Sequence, residues 1–478
     1  MENAARRYVL TPAYALRGWK LLPYGVQRTD GTSCEFMTKH DYALLLDCDG
    51  QTDIPYDGLP ERDRARYYSW EQGKIIRRCG EGERLLPVQR YRFYENRYKE
   101  SVQWSVTGKC NYRCRHCFMS APHAATGEPS WDELMTMLDS FAHCGIRGVG
   151  LTGGEPLIRA DFLKLVDEIV KRDMLITAIY TNGLLVTDAF LDELEKRQIR
   201  TTFQFSFDGV GHHNWMRGVP GAEKAVIGAF KRCRDRGIRT SASMAMCRES
   251  APSIRETVKL LADLGCSSLK INNATPQGEW LGEPEHYLTL RETYQTYLDY
   301  IPAYFEDGAP LSLMLEGFFH YSRERQREKA VNEKDVDEGA FGQTLMCSIV
   351  RSSMYVSPRG NVLPCMSLVG TPIEAQFPNL LETPLEKILS ESSHYMNVVD
   401  LRVGDYMEHN PDCRACEYRE ACCGGCRAVA LNACPEDYLS RDMHACEYFR
   451  GGWKAKKDAL MKELGFENGR RKASDTQE

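Results

Sequence analysis

The chain has 478 residues, a formal net charge of -6 and a sequence pI of about 6.1, with 42% hydrophobic residues and a mean hydropathy of -0.46. Such a length predicts two to four domains, and the acidic balance argues against a nucleic-acid partner. No apolar run approaches a bilayer span, and none follows Met1-Glu2-Asn3-Ala4-Ala5-Arg6-Arg7 as a secretory signal would, so a cytoplasmic protein with no membrane partner is expected.

Residues 1–95 read as a first domain. Tyr14 to Leu22 has strand character, and Thr29-Asp30-Gly31 is a turn into a second strand through Phe36. Thr38 can cap a helix reaching Leu46, with Asp41 in its first turn. Arg62 to Trp70 is helical, and Gly80-Glu81-Gly82 punctuates a final hairpin. Two strands, helices and a hairpin outline a winged helix.

Residues 96–280 alternate between strand and helix. Strands are expected over Val102–Thr107, Gly148–Leu151, Leu175–Tyr180, Thr201–Phe207, Thr240–Met246 and Ser268–Ile271. Helices are expected over Trp131–His143, Asp161–Lys171, Asp188–Lys196, Ala222–Arg236 and Ser253–Leu264. This alternation predicts an α/β fold, a parallel sheet with right-handed crossovers closing as a partial (β/α)6 barrel. Chemistry in such folds collects at the C-terminal strand ends. Residues 281–346 read as a polar helical bridge and 347–450 as a cysteine-rich domain. Residues 451–478 read as a helix and a polar, disordered tail from Gly465.

The 19 cysteines stand out. Clustered cysteines in a cytosolic chain point to metal or redox chemistry before disulfides. The first group is Cys110-x-x-x-Cys114-x-x-Cys117, directly after the first barrel strand. Three thiolates on one loop can hold three irons of a [4Fe–4S] cube and leave the fourth open to a small molecule. A structural zinc loop would need a fourth ligand, for which His116 is the available neighbour. Gly153-Gly154-Glu155-Pro156 ends the second strand, Tyr180-Thr181-Asn182-Gly183 the third, and Ser206-Phe207-Asp208-Gly209 the fourth, with Arg217 shortly after. Glycines there allow close backbone approach to a ligand, and Glu155 can accept from an ammonium.

At these residues the sequence resembles the radical S-adenosylmethionine (SAM) superfamily. The resemblance implies that Cys110, Cys114 and Cys117 bind the reducing cluster and that S-adenosylmethionine chelates its free iron. It further implies cofactor contacts from Gly153, Gly154, Glu155, Pro156, Asn182, Ser206 and Arg217, with Glu155 beside the amino group. Reductive cleavage of the sulfonium would supply a 5′-deoxyadenosyl radical, and the protein's share is orientation and exclusion of water.

A second array comprises Cys347, Cys365, Cys413-x-x-Cys416, Cys422, Cys426 and Cys446, enough for two clusters. A zinc ribbon on Cys413, Cys416, Cys422 and Cys426 is the plainer alternative. The spacing resembles the SPASM domain, which carries two auxiliary [4Fe–4S] clusters. That resemblance implies a distal cluster on Cys413, Cys416, Cys422 and Cys446 and a proximal one on Cys347, Cys365 and Cys426, for three clusters in all. The proximal fourth ligand stays open between Cys423, Cys434, a substrate thiolate and a vacant iron.

SPASM enzymes commonly act on peptides, and residues 1–95 resemble, in outline and position, the RiPP recognition element that binds leader peptides. The expected activity is therefore that of a radical SAM/SPASM oxidoreductase maturing a ribosomal precursor peptide. A thioether from Cys to carbon leads, with a carbon–carbon cyclophane close behind and epimerisation after that. A flavodoxin or ferredoxin would donate electrons. Sulfatase-maturating relatives place an aspartate after the second SPASM cysteine, whereas Met366 follows Cys365 here, and no catalytic acid or base is assigned. A hypothesis of another class is a non-catalytic metal-binding adaptor.

Overall fold

The computed structural model describes residues 5–30, 33–121, 125–274, 276–329, 331, 333, 338–390, 393–467 and 469–471. In the N-terminal region the strands are β1 (Tyr8–Leu10), β2 (Tyr14–Lys20), β3 (Leu22–Arg28), β4 (Cys34–Phe36), β5 (Ile76–Arg78) and β6 (Arg92–Arg97), with helices α1 (Lys39–Leu46) and α2 (Glu61–Gln72). Four strands form a sheet in the order β4-β3-β2-β6, and β1 pairs with β5. Thr38 caps α1 by accepting from the Asp41 N–H at 3.1 Å. The helices close over Tyr8, Leu16, Val26, Tyr42, Tyr67 and Trp70, a core separate from the barrel's.

The structure refines one expectation here and overturns another. Thr29-Asp30 does turn β3 into β4, which ends at Phe36 as expected, with Gly31 outside the described residues; what differs is a further turn at Leu21, φ +68°, which splits the expected Tyr14–Leu22 strand into β2 and β3. A left-handed leucine carries no turn signature, so this hairpin is not visible in the sequence. Gly80-Glu81-Gly82 closes no hairpin: β5 pairs back to β1, and the next strand, β6, runs parallel to β2.

The barrel follows as β7 (Ser101–Ser105), α3 (Trp131–His143), β8 (Gly148–Thr152), α4 (Phe162–Lys171), β9 (Leu175–Thr181), α5 (Asp188–Lys196) and β10 (Thr202–Ser206). Helices α6 (His213–Arg217) and α7 (Ala222–Asp235) precede β11 (Thr240–Met246), and α8 (Ile254–Asp263) precedes β12 (Ser268–Asn273). Strands β7 through β12 are parallel neighbours in chain order, the partial (β/α)6 arrangement. Helix α3 starts where Ser130 and Glu133 form a capping box and buries Leu134, Met137, Leu138 and Phe141.

The stretch expected as a polar helical bridge is different. One helix, α9 (Leu290–Glu306), buries Tyr294, Tyr297, Ile301 and Tyr304, so it is not polar on its inner face. It is followed by β13 (Ser312–Leu315), β14 (Phe319–Ser322) and β15 (Arg327–Lys329), which extend the barrel sheet. On the other edge β16 (Ser353–Val356) lies parallel to β7 and pairs with β17 (Val362–Leu363), giving 11 strands in all. The tail is also more ordered than expected. Phe466–Glu467 and Arg470–Arg471 form a hairpin, and Phe466 packs 4.9 Å from the Phe305 ring. The rest of the expected disordered tail, residues 472–478, lies outside the described residues. No described helix is long and apolar enough to cross a membrane.

Candidate active site

The loop after β7 carries Cys110, Cys114 and Cys117, all half-buried. Each sulfur has a donor in place. The Tyr112 N–H points at Cys110 Sγ (3.4 Å), the Ala121 N–H at Cys117 Sγ (3.3 Å), and Arg217 Nη1 at Cys114 Sγ (3.7 Å). Such donors suit thiolates, the form that ligates iron. Without metal, burial pushes the Cys110 thiol up to about 12. His116 is no fourth ligand of this group. Its ring is buried among Arg217, Asp208 and His213 with Nδ1 unpartnered, and burial pushes it down to about 4. Three sulfurs with a spare corner fit an iron cube better than zinc.

The three strand-end motifs hold this loop as much as they face a ligand. The Gly154 N–H donates to Thr107 O and the Glu155 N–H to Lys109 O. A Cβ on Gly154 would lie 2.1 Å from Lys109 O, so that glycine is required by the cluster loop's own backbone. Pro156 is buried at the start of a short turn. Glu155 is fully buried, and its oxygens accept from Thr181 Oγ1 (2.8 Å), the Asn182 N–H (2.8 Å) and the Leu157 N–H (3.1 Å). Burial dominates over those bonds and raises its carboxyl to about 7. Asn182 Nδ2 donates to Asn111 Oδ1 inside the cysteine loop (2.7 Å). Ser206 is half-buried at the end of β10, opposite Ser243 of β11.

Arg217 does more than the sequence suggested. Its Nε and Nη2 clamp fully buried Asp208 at 2.5 and 2.9 Å, while Nη1 turns to Cys114. Asp208 Oδ1 also accepts the Ala245 N–H (3.0 Å) and the Asp208 N–H donates to His213 Nδ1 (3.1 Å). This ion pair holds the Asp208 carboxyl far below its usual range even though burial opposes it. Asp208 and His213 were not assigned from sequence, although Asp208 stood within a quoted motif.

The second cysteine array sorts into two places. Cys422 shares its electrostatic surroundings with Cys446 and Cys413, and Cys416 follows Cys413 in one turn. Cys426 instead neighbours Cys365. Buried Asp442 ties the two places together. Its carboxylate accepts the Cys426 N–H (2.7 Å) and caps the helix Met443–Arg450, which carries Cys446. A Cβ on Gly425 would meet that carboxylate at 2.5 Å.

Cys434 and Cys423 are the candidate fourth ligands beside Cys365 and Cys426. Cys434 lies at the far end of the helix Arg427–Ala433, about 12 Å along its axis from Cys426. Cys423 takes φ +50°, is fully buried against Tyr406 and Met346, and donates to Glu420 O at 3.1 Å.

The model of the radical SAM superfamily matches residues 104–268, and that of an iron–sulfur cluster-binding domain, SPASM, matches 347–417. The chain is a radical SAM enzyme. Its radical SAM and SPASM domains use S-adenosylmethionine and [4Fe–4S] clusters. Among curated proteins it is 27% identical to AdoMet-dependent heme synthase of Nitratidesulfovibrio vulgaris, over 69% of this chain and 88% of that protein. It is 26% identical to PqqA peptide cyclase of Granulibacter bethesdensis, over 68% and 82%. It is 22% identical to the antilisterial bacteriocin subtilosin biosynthesis protein AlbA of Bacillus subtilis, over 83% and 85%. Its fold matches Streptococcus suis SuiB bound to precursor peptide SuiA with a TM-score of 0.61 at 15% identity, over 92% of this chain and 100% of that one.

Below the cluster loop of this radical SAM enzyme, the barrel strands bury their outward residues and leave several inward ones, chiefly on β9 to β12, part-exposed. Val102 and Trp104, Val149 and Leu151, Phe203 and Phe205, and Leu269 and Ile271 are buried outward. Gln103, Tyr180, Gln204, Ser243, Lys270 and Asn272 face inward with partial exposure. The inward row over β9 to β12 is polar and part-exposed, not a packed apolar core.

Proposed function

We propose that this enzyme matures a ribosomally made precursor peptide, abstracting a hydrogen atom and installing a cross-link, first of all a thioether from a cysteine to carbon. The observation carrying this reading is the lumen. Its hydroxyl, amide and ammonium groups suit a hydrated peptide backbone, whereas a flat macrocycle of the heme type needs broad apolar walls. Bound S-adenosylmethionine would supply the radical at the rim, held over the lumen by the Cys110–Cys117 loop. Cross-linking removes two electrons and two hydrogens from the peptide, and the SPASM clusters offer a route for the electron that the radical does not take. Our assignment is a distal cluster on Cys413, Cys416, Cys422 and Cys446, and a proximal one on Cys347, Cys365 and Cys426.

The N-terminal region, residues 1–95, is proposed to bind the leader. The SuiB match spans 92% of this chain, which cannot be reached without part of that region, and SuiB is a protein seen with its precursor peptide. Strand β4 is the sheet's edge, and a recess of about 320 Å³ between it and α2 is lined by Phe36, Met37, Thr38, Asp41, Arg66 and Trp70. An added strand would pair with β4 and place alternate side chains there. Carbon–carbon cyclisation is the second reading, favoured by the likeness to PqqA peptide cyclase. Co-expression with a short peptide encoded beside the gene tests the proposal. The peptide should lose two hydrogens per cross-link, and only with its leader attached. An unaltered mass together with turnover of a porphyrin would overturn it.

A further inference from the structure

Lys270 is the only charged side chain on the inward face of β7 to β13 among the described residues. On β12 it lies between outward, buried Leu269 and Ile271, and its β11 partner is Ser243. Ser243 in turn pairs with Ser206 of β10, at the rim where the cofactor is expected. Two interstrand steps, about 10 Å, therefore separate Lys270 from Ser206 along one row. The Lys270 side chain rises to Glu316, just past the end of β13, with Nζ 2.6 Å from Oε1.

This ion pair does little for the fold. Its side chains are 38% and 51% exposed, and exposed pairs of this kind contribute little to stability. Glu316 stands at the mouth and stays hydrated if its partner leaves. Lys270 stands deeper, with Met314 as its β13 neighbour and Ser243 as its β11 neighbour, and neither can replace a carboxylate. A carboxylate arriving in the lumen can thus exchange for Glu316 at little cost.

We propose that Lys270 is a substrate-binding residue that takes a carboxylate, the side chain of an acidic residue beside the one attacked, with Glu316 holding the ammonium in place while the lumen is empty. This rests on the peptide reading above. It narrows the core peptide to one with Asp or Glu next to the modified residue.

The test uses full-length, cluster-reconstituted enzyme with S-adenosylmethionine, titrated with acetyl-Gly-Glu-Gly-amide, its Gln counterpart and its Lys counterpart. The Glu probe should bind about tenfold more tightly than the Gln probe, the scale of one hydrogen bond to a charged group. Lys270→Met should erase that preference, Lys270→Arg should keep part of it, and Glu316→Gln should preserve or increase it. Equal binding of the Glu and Gln probes, preference for the Lys probe, or a Glu preference that survives Lys270→Met would overturn the assignment. The two proposals fail separately. Carboxylate discrimination through Lys270 without any peptide modification on co-expression would sink only the peptide reading. Modification of peptides lacking acidic residues at an unchanged rate would sink only this one.

Discussion

Glu155 makes the stability of the metal-free protein depend on pH in an unusual direction. Its carboxyl is fully buried and titrates at about 7 instead of the ordinary 4.5, because burial outweighs the three hydrogen bonds it accepts. Between those values the folded state binds a proton that the unfolded chain has lost, so stability falls as pH rises from about 4.5 to about 7 and is level above. At ~1.4 kcal/mol per pH unit the interval amounts to ~3 kcal/mol. Glu155→Gln removes the titration. It leaves the Asn182 N–H facing an amide nitrogen, a pH-independent penalty of ~1–3 kcal/mol. Urea unfolding of wild type and variant at several pH values, under anaerobic metal-free conditions, separates offset from slope. The variant should gain ~3 kcal/mol relative to wild type between pH 4.5 and 7. Parallel profiles would refute the reasoning, and so would a gap that widens in the opposite sense.

Replacing Cys110, Cys114 and Cys117 with Ala should lower the iron content by about four atoms per chain and abolish reductive release of 5′-deoxyadenosine. Cys426→Ala should likewise lose about four irons, while Cys434→Ala, a helix length away, should keep the full complement by iron assay. Asp208→Asn leaves Arg217 without its buried counter-charge and should cost ~3–5 kcal/mol in chemical unfolding. A loss below about 1 kcal/mol would mean that Arg217 finds another partner.

The barrel was legible because its signals are local and repeated. Helix α3 carries a capping box at Ser130 and Glu133, and β11 runs over the expected Thr240–Met246. The cysteine loop was equally plain, since three thiols within eight residues need no tertiary context. What escaped depended on partners distant in sequence. Strand β1 is three residues long and exists through β5, 66 residues on. Strands β13 to β15 hid behind a helix whose polar residues suggested a bridge. The lumen role of Lys270 was visible in principle, because Ser268-Leu269-Lys270-Ile271-Asn272 alternates polar and apolar. In a barrel clothed by helices the polar set must face inward. The glycine pair at 153 and 154 suggests room for a ligand, yet at Gly154 the space is already filled by the Lys109 carbonyl.

Strand β16 belongs to the SPASM segment yet lies in register along β7, with Ser353 beside Ser101 and Val356 beside Trp104. A seam of main-chain hydrogen bonds is not a hinge. The chain segment between Cys347 and Cys365 is thereby anchored to the strand that leads into the rim thiols when the chain folds, which limits how far the tunnelling distance between those groups can vary. Substrate entry therefore has to proceed without β16 parting from β7.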